Sequence, residues 1–194
     1  MTVTHLDMIA GSRKCTIIFD DARAPADCLI GKEGEGWLAF NSGMAGAFTV
    51  GIGPKLDRDA AVLARLLDYC RDTTAGGAPL SSRPDVQDAL VRCYAGLQVQ
   101  RLLRLRNDWM AAAGVAQTYE GAQVSLGRKL FDLKLAEAVH HALGPAALAQ
   151  DPEAAPLAGE LEYFHRYGLL MVHPGGTVEI QKLRMFRAMT AGAG

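Results

Sequence analysis

The residues best suited to chemistry lie in one stretch near the C-terminus, His173-Pro174-Gly175-Gly176-Thr177-Val178-Glu179-Ile180-Gln181. Two adjacent glycines permit positive φ and a close approach of the backbone to a ligand. Thr177 is placed to cap the helix that Glu179, Ile180, Leu183, Met185 and Phe186 would build, its hydroxyl taking one free N–H while others face outward. Such a turn suits an anion or the polar edge of a ring. The same residues would also serve as a plain capped turn, because glycines before helices are common.

Other chemistries find less support. Cys15, Cys28, Cys70 and Cys93 are widely spaced, with no Cys-x-x-Cys pair and no histidine at ligand spacing, so neither a disulfide framework nor a metal site is expected. They read as reduced, mostly buried thiols. A formal net charge of -1 exerts no general pull on nucleic acid or anionic membrane, so a phosphate-bearing ligand would be held by local geometry. The N-terminal residues lack a basic segment followed by an apolar run, and no run of about 18 apolar residues occurs, so a cytoplasmic protein is expected.

The elements that would position the turn are mostly helical. At 194 residues and 49% hydrophobic content, the chain can bury one good core or a small unit plus a larger one. Residues 1–36 have strand chemistry, with Lys14 to Phe19 β-branched and apolar and Cys28 to Ile30 a second short apolar run. Two strands are marginal in water, so this piece must pack on something else. Residues 37–194 read as a helical domain. Leu56, Val62, Leu63, Leu66, Leu67 and Cys70 recur at helical spacing, and Thr73 to Pro84 forms a loop. A long amphipathic helix follows over Asp85–Ala113, its apolar face given by Val86, Leu90, Cys93, Leu97, Leu102, Leu105 and Trp109. Further helices are expected over Glu120–Leu143, Gly159–Val172 and roughly 177–190. Helices of this length with short connections predict an up-and-down bundle.

The order of these pieces resembles the second half of the acyl-CoA dehydrogenase family, the end of a β-domain followed by a C-terminal helical bundle. Ile17 to Gly31 is similar to the family's strand and turn "V-x-F-D-x-V-x-V-P-x-x-x-x-L-G", Glu33-Gly-Glu-Gly-Trp37 to its "G-x-G" entry into the bundle, and Gly175 to Gln181 to its "E-G-T-x-x-I-Q". The fold this implies is mainly α, a bundle of acyl-CoA dehydrogenase type preceded by a short β-domain remnant. The implied activity is FAD-dependent α,β-desaturation of an acyl-CoA thioester, in which a glutamate removes the α-proton while the β-hydrogen leaves as hydride.

Residue by residue, the resemblance finds the base missing. The position matching the glutamate of most members is Gly175, and the alternative base position on the first bundle helix falls at Ala47, with Phe48 where a substrate-contacting arginine is expected. Thr177 and Glu179, with Gly175 and Gly176, match positions beside the flavin's phosphates or adenosine. Glu179 also reads as a solvated first-turn carboxylate favoured by the helix dipole. The loop arginine that reaches a neighbouring subunit's flavin is lost in Thr73 to Gly77, and Arg71 is the nearby substitute. A glutamine of the family falls near His141, which would bond a ligand or favour a helix end. Trp37 and Trp109 are expected in the core or at an interface, and Arg101, Arg104 and Arg106 on a solvated face.

The resemblance thus implies a flavoprotein subunit or half-subunit, inactive alone, in a homo- or hetero-oligomer with an acyl-CoA dehydrogenase-like partner that completes the FAD and acyl-CoA sites. Two other readings stay open: a noncatalytic interaction or structural subunit on the same fold, and a flavin monooxygenase-like chemistry that needs no glutamate.

Overall fold

A computed structural model describes residues 1–11 and 13–191, and for residues 41 and 44–56 the backbone alone. The chain divides into two compact units, Met1–Arg58 and Asp59–Gly194. The first helix, α1 (Gly36–Asp72), runs through the boundary.

The first unit opens with an antiparallel hairpin, β1 (Thr2–Asp7) and β2 (Arg13–Ile18), in the register Thr2 opposite Ile18 and Asp7 opposite Arg13. Strand β1 is the partner that the sequence reading lacked. Its alternation of Thr2, Thr4 and Leu6 with Val3, His5 and Asp7 has the period of a strand. The second strand expected over Cys28–Ile30 is absent, because Ala26–Cys28 forms a single 3-10 turn after Pro25. Every residue of both strands is exposed.

The second unit is a helical bundle built around α3 (Glu120–Leu143), which contacts α2 (Pro84–Ala112), α4 (Glu160–Met171) and α5 (Val178–Thr190). Pro84 occupies the first turn of α2, where its missing N–H costs nothing. Gly114, with φ 66°, follows its end. Val62 and Leu66 of α1, Val86, Leu90 and Leu97 of α2, Val124, Phe131, Leu135 and Val139 of α3, and Leu161 and Phe164 of α4 make the core. Burying each such side chain contributes roughly 1.5–3 kcal/mol. The expected loop at 73–84 contains a minimal hairpin, β3 (Thr74–Ala75) and β4 (Ala78–Pro79), turned by Gly76 and Gly77.

Polar groups are also buried here. Arg128 on α3 sits between Asp59 (2.9 Å) and Asp132 (3.0 Å), both carboxylates fully enclosed, which ties α1 to α3. Arg166 grips Glu162 at 2.6 and 2.8 Å within α4, and Gln150 adds a third bond to that carboxylate at 3.1 Å. At Gly168 a methyl group would lie 2.8 Å from the Asp132 carbonyl oxygen, so only glycine lets α4 approach α3 this closely.

Two further expectations fail. Of the predicted apolar face of α2, Val86, Leu90, Cys93 and Leu97 are buried, whereas Leu102, Leu105 and Trp109 are exposed. The helix turns those three away from α3. Two of the four cysteines, Cys15 and Cys28, are exposed and only Cys70 and Cys93 are buried; all four are free thiols. Trp37 and Trp109 lie on the surface of this chain, so of the two places expected for them, core or interface, the core is excluded.

Candidate functional site

Helix α4 ends at Met171 and α5 begins at Val178, so the glycine turn spans the gap between two bundle helices. Gly175 and Gly176 both take left-handed conformations, φ 74° and 93°, which L residues reach only at a cost. At Gly176 a Cβ would also meet Gln181 Nε2 at 3.0 Å. Thr177 is the N-cap of α5, its hydroxyl accepting the Ile180 N–H at 3.3 Å.

Two buried donors hold the turn from behind. Lys129 of α3 donates from Nζ to the Met171 carbonyl at 3.1 Å and to the Pro174 carbonyl at 2.6 Å. The first bond satisfies an acceptor at the end of α4, where no intrahelical donor remains. Gln181 of α5, only 1% exposed, donates from Nε2 to the Gly175 carbonyl at 2.8 Å. Sequence reading gave neither residue a role. The available signal for Lys129 was a cation placed among Leu126, Leu130 and Leu133 on a helix otherwise rich in apolar residues.

An open pocket of about 360 Å³ lies beside the turn, lined by Leu130, Leu133, Val172, His173, Thr177, Val178 and Glu179. Its lining is mostly apolar, with polar groups from His173, Thr177 and Glu179, a mixture common in ligand pockets. The Glu179 carboxyl is held below its ordinary value by its own backbone N–H and then by the Thr177 hydroxyl. A carboxylate kept ionised repels phosphate and accepts from hydroxyl or amino groups. The residues therefore fit the sugar or base end of a dinucleotide better than its pyrophosphate. Among the described residues no cluster of three metal-ligating side chains occurs.

The structure brings Gly175, Gly176, Thr177 and Glu179 to one surface and gives the other candidates different partners. Arg71, in the last turn of α1, pairs with Asp68 at 3.4 Å, both exposed. His141, at the end of α3, meets Asp85 of α2 through Nε2 at 3.0 Å. The Arg83 guanidinium grips the same carboxylate and is the main reason that its pKa falls to about 2. Ala47 and Phe48 lie outside the residues whose side chains are described. Arg104 pairs with Asp108 at 3.3 Å, and Arg106 donates to Gln123 at 2.7 Å.

The architecture is an antiparallel helical bundle with a glycine turn introducing its last helix, preceded by an exposed β-hairpin. Residues 38–190 match the family described as "Acyl-CoA dehydrogenase, C-terminal domain", and the chain belongs to the acyl-CoA dehydrogenase family. Acyl-CoA dehydrogenase FadE26 of Mycobacterium tuberculosis is 26% identical over 188 residues, 92% of this chain and 46% of that protein. Among solved structures, the ChsE4-ChsE5 complex from Mycobacterium tuberculosis superposes with a TM-score of 0.84 at 21% identity, over 98% of this chain and 49% of that one. The Tcur3481-Tcur3483 steroid ACAD gives 0.86 at 18% identity, over 100% and 48%. These likenesses carry the fold. The chain spans about half the length of the relatives it matches. Among the described residues no helix is long and apolar enough to cross a membrane.

Proposed function

We propose that this chain is the C-terminal half of an acyl-CoA dehydrogenase-type flavoprotein site and takes part in FAD-dependent α,β-desaturation of an acyl-CoA thioester together with a partner chain. The observation that carries the reading is the glycine turn, built with two buried donors behind it and no carboxylate at Gly175. A turn fixed in this way retains a binding surface while lacking the group that would remove an α-proton, assistance commonly worth ~10²-fold or more. FAD would supply the hydride acceptor. This chain's own part would be to present the backbone of Gly175 and Gly176 and the Thr177 and Glu179 side chains to the cofactor's polar edge. Arg71 and His141 would join only by leaving Asp68 and Asp85.

Several observations favour a partner. Every residue of the β1 and β2 strands is exposed, and an isolated hairpin is marginally stable. Two of the similar solved structures carry paired names, and one is called a steroid ACAD. Thioesters of steroid-derived acids are therefore the substrates to try first.

The experiment is co-purification with an acyl-CoA dehydrogenase-like partner, read by flavin absorbance and by desaturation of a panel of acyl-CoA thioesters. Flavin and turnover are expected only when both chains are present. Turnover by this chain alone defeats the missing-base argument. Lack of flavin in every combination leaves the second reading, a noncatalytic subunit on the same fold, which the empty position at Gly175 also accommodates.

A further inference from the structure

The β1–β2 hairpin sets a thiol against an imidazole, in a different unit of the chain from the glycine turn. Residues opposite each other in an antiparallel pair share a face, and faces alternate along each strand. One face therefore carries Val3 with Ile17, His5 with Cys15, and Asp7 with Arg13. Cys15 Sγ lies 3.3 Å from His5 Nδ1, within hydrogen-bond reach for sulfur, and both side chains are exposed. With the ring proton on Nε2, Nδ1 accepts the thiol hydrogen. A cross-strand contact contributes roughly 0.2–1 kcal/mol, and water would satisfy either group, so folding alone does not require this one.

The four thiols differ in their surroundings. Cys70 and Cys93 are buried, and burial raises the pKa of each, Cys93 to about 11, so neither offers a nucleophile to a reagent in water. Cys28 closes the 3-10 turn Ala26–Cys28 and is exposed, but it has no side-chain hydrogen-bond partner among the described residues. Cys15 combines exposure with a base in contact. The next pair on its face does not supply the activation: the charge of Arg13 is compensated by Asp7, whose Oδ1 accepts from Nε at 3.1 Å. His5 is left as the activating group.

We infer that Cys15 with His5 forms a modification site that takes a low-molecular-weight disulfide. The thiol proton passes to His5 Nδ1 as the Cys15 sulfur bonds to one sulfur of the reagent. The reagent's own S–S bond breaks, and its departing thiolate recovers the proton from the imidazolium. Cys15 is oxidised to a mixed disulfide, one half of the reagent is reduced to a free thiol, and the disulfide itself is the only oxidant. This goes beyond the desaturation reading. Its test needs no flavin, acyl-CoA or partner chain, so each can fail without the other.

The full chain is treated with glutathione disulfide at one fixed pH, quenched with acid at intervals, digested, and read by mass spectrometry as the initial rate at each cysteine. Cys15 is expected to react roughly tenfold or more faster than Cys28, the effect of a positioned base. In urea, where the pair dissolves, and in His5→Gln, the two rates should become equal. Thr4→Gln is the control, because Thr4 faces the other side of the same hairpin and its replacement leaves the pair intact. It should keep the preference for Cys15. Equal rates at Cys15 and Cys28 in the parent overturn the inference, as does a preference that survives His5→Gln or one that Thr4→Gln abolishes as fully as His5→Gln does.

Discussion

Lys129 and Pro174, 45 residues apart, are joined by a 2.6 Å bond from an ammonium to a carbonyl oxygen. The centre of α3 thereby fixes the shape of a turn that belongs to α4 and α5. Gln181 fixes the same turn from the opposite side in sequence, so its conformation depends on two buried donors as well as on glycine.

Lys129→Met should loosen that turn without dissolving the bundle. The variant keeps most of the buried aliphatic stem and deletes the donor to Met171 and Pro174. An acceptor left unsatisfied costs about 1–3 kcal/mol. A melting temperature lower by roughly 4–8 °C is expected for a loss of about 2 kcal/mol in a chain of this size. Hydrogen exchange is the decisive measurement: the amides of residues 175–178 should lose protection while those in the middle of α3 keep it. Unchanged protection would mean that the turn holds itself.

Gly168→Ala tests the closest helix approach. The added methyl would lie 2.8 Å from the Asp132 carbonyl oxygen and 3.1 Å from the Ala136 Cβ, and neither backbone nor Cβ can rotate away. Overpacking of this kind costs typically 1–3 kcal/mol, against a helix-propensity gain of about 1 kcal/mol for replacing glycine. A net fall in stability in urea unfolding is expected. A rise would show that α4 slides freely on α3.

Much of this arrangement can be read from residue order, and the failures have particular causes. The spans of α2 and α3 follow from periodicity with Pro84, Gly114 and Gly144 as punctuation, and the turn follows from Gly175, Gly176 and Thr177. Periodicity marks Leu102, Leu105 and Trp109 as apolar but does not say which face of the helix meets α3. Strand β1 was missed because Thr, His and Asp dilute its alternation. The Lys129 clamp depends on carbonyls, which every residue carries, so no side-chain motif announces it.

The Asp85 carboxyl gives a pH signature. Arg83, bonded to it at 3.2 Å, lowers its pKa from 3.8 to about 2 in the folded chain. A depressed carboxyl pKa contributes stability that is fully present above about pH 3.8 and is lost as pH falls toward 2. Arg83→Ala should return the carboxyl toward 3.8, measured by the NMR titration of its side-chain carbon. If the titration stays near 2 in that variant, the backbone donors of Asp85 and Val86 dominate instead.

Cys93 and Cys70 should be inert while the bundle is folded. Burial pushes the Cys93 thiol up to about 11, and burial also raises that of Cys70. Since the thiolate is the reactive form, alkylation at pH 8 should label Cys15 and Cys28 first and reach the other two only on unfolding. Mass spectrometry of a timed iodoacetamide reaction reads the order directly. Early labelling of Cys93 would reveal local opening between α2 and α3.

Whether the turn binds or merely connects can be decided by comparing Gly176→Ala with Gln181→Leu in the complex with a partner chain. The first forces an L residue to φ 93° and drives a methyl to 3.0 Å from Gln181 Nε2, so it strains the backbone and displaces the clamp together. Left-handed backbone costs roughly 1–2 kcal/mol for such a residue. The second removes only the bond to the Gly175 carbonyl, about 1 kcal/mol. If Gly175 and Gly176 form a cofactor surface, both variants should reduce flavin retained per chain, measured by the ratio of visible to ultraviolet absorbance. Gly176→Ala should weaken retention about tenfold or more, since 1.4 kcal/mol corresponds to a factor of ten. The complementary outcome has a distinct meaning: a lowered melting temperature with flavin stoichiometry intact would make the turn a structural joint, and the cofactor's contacts would have to come from the partner.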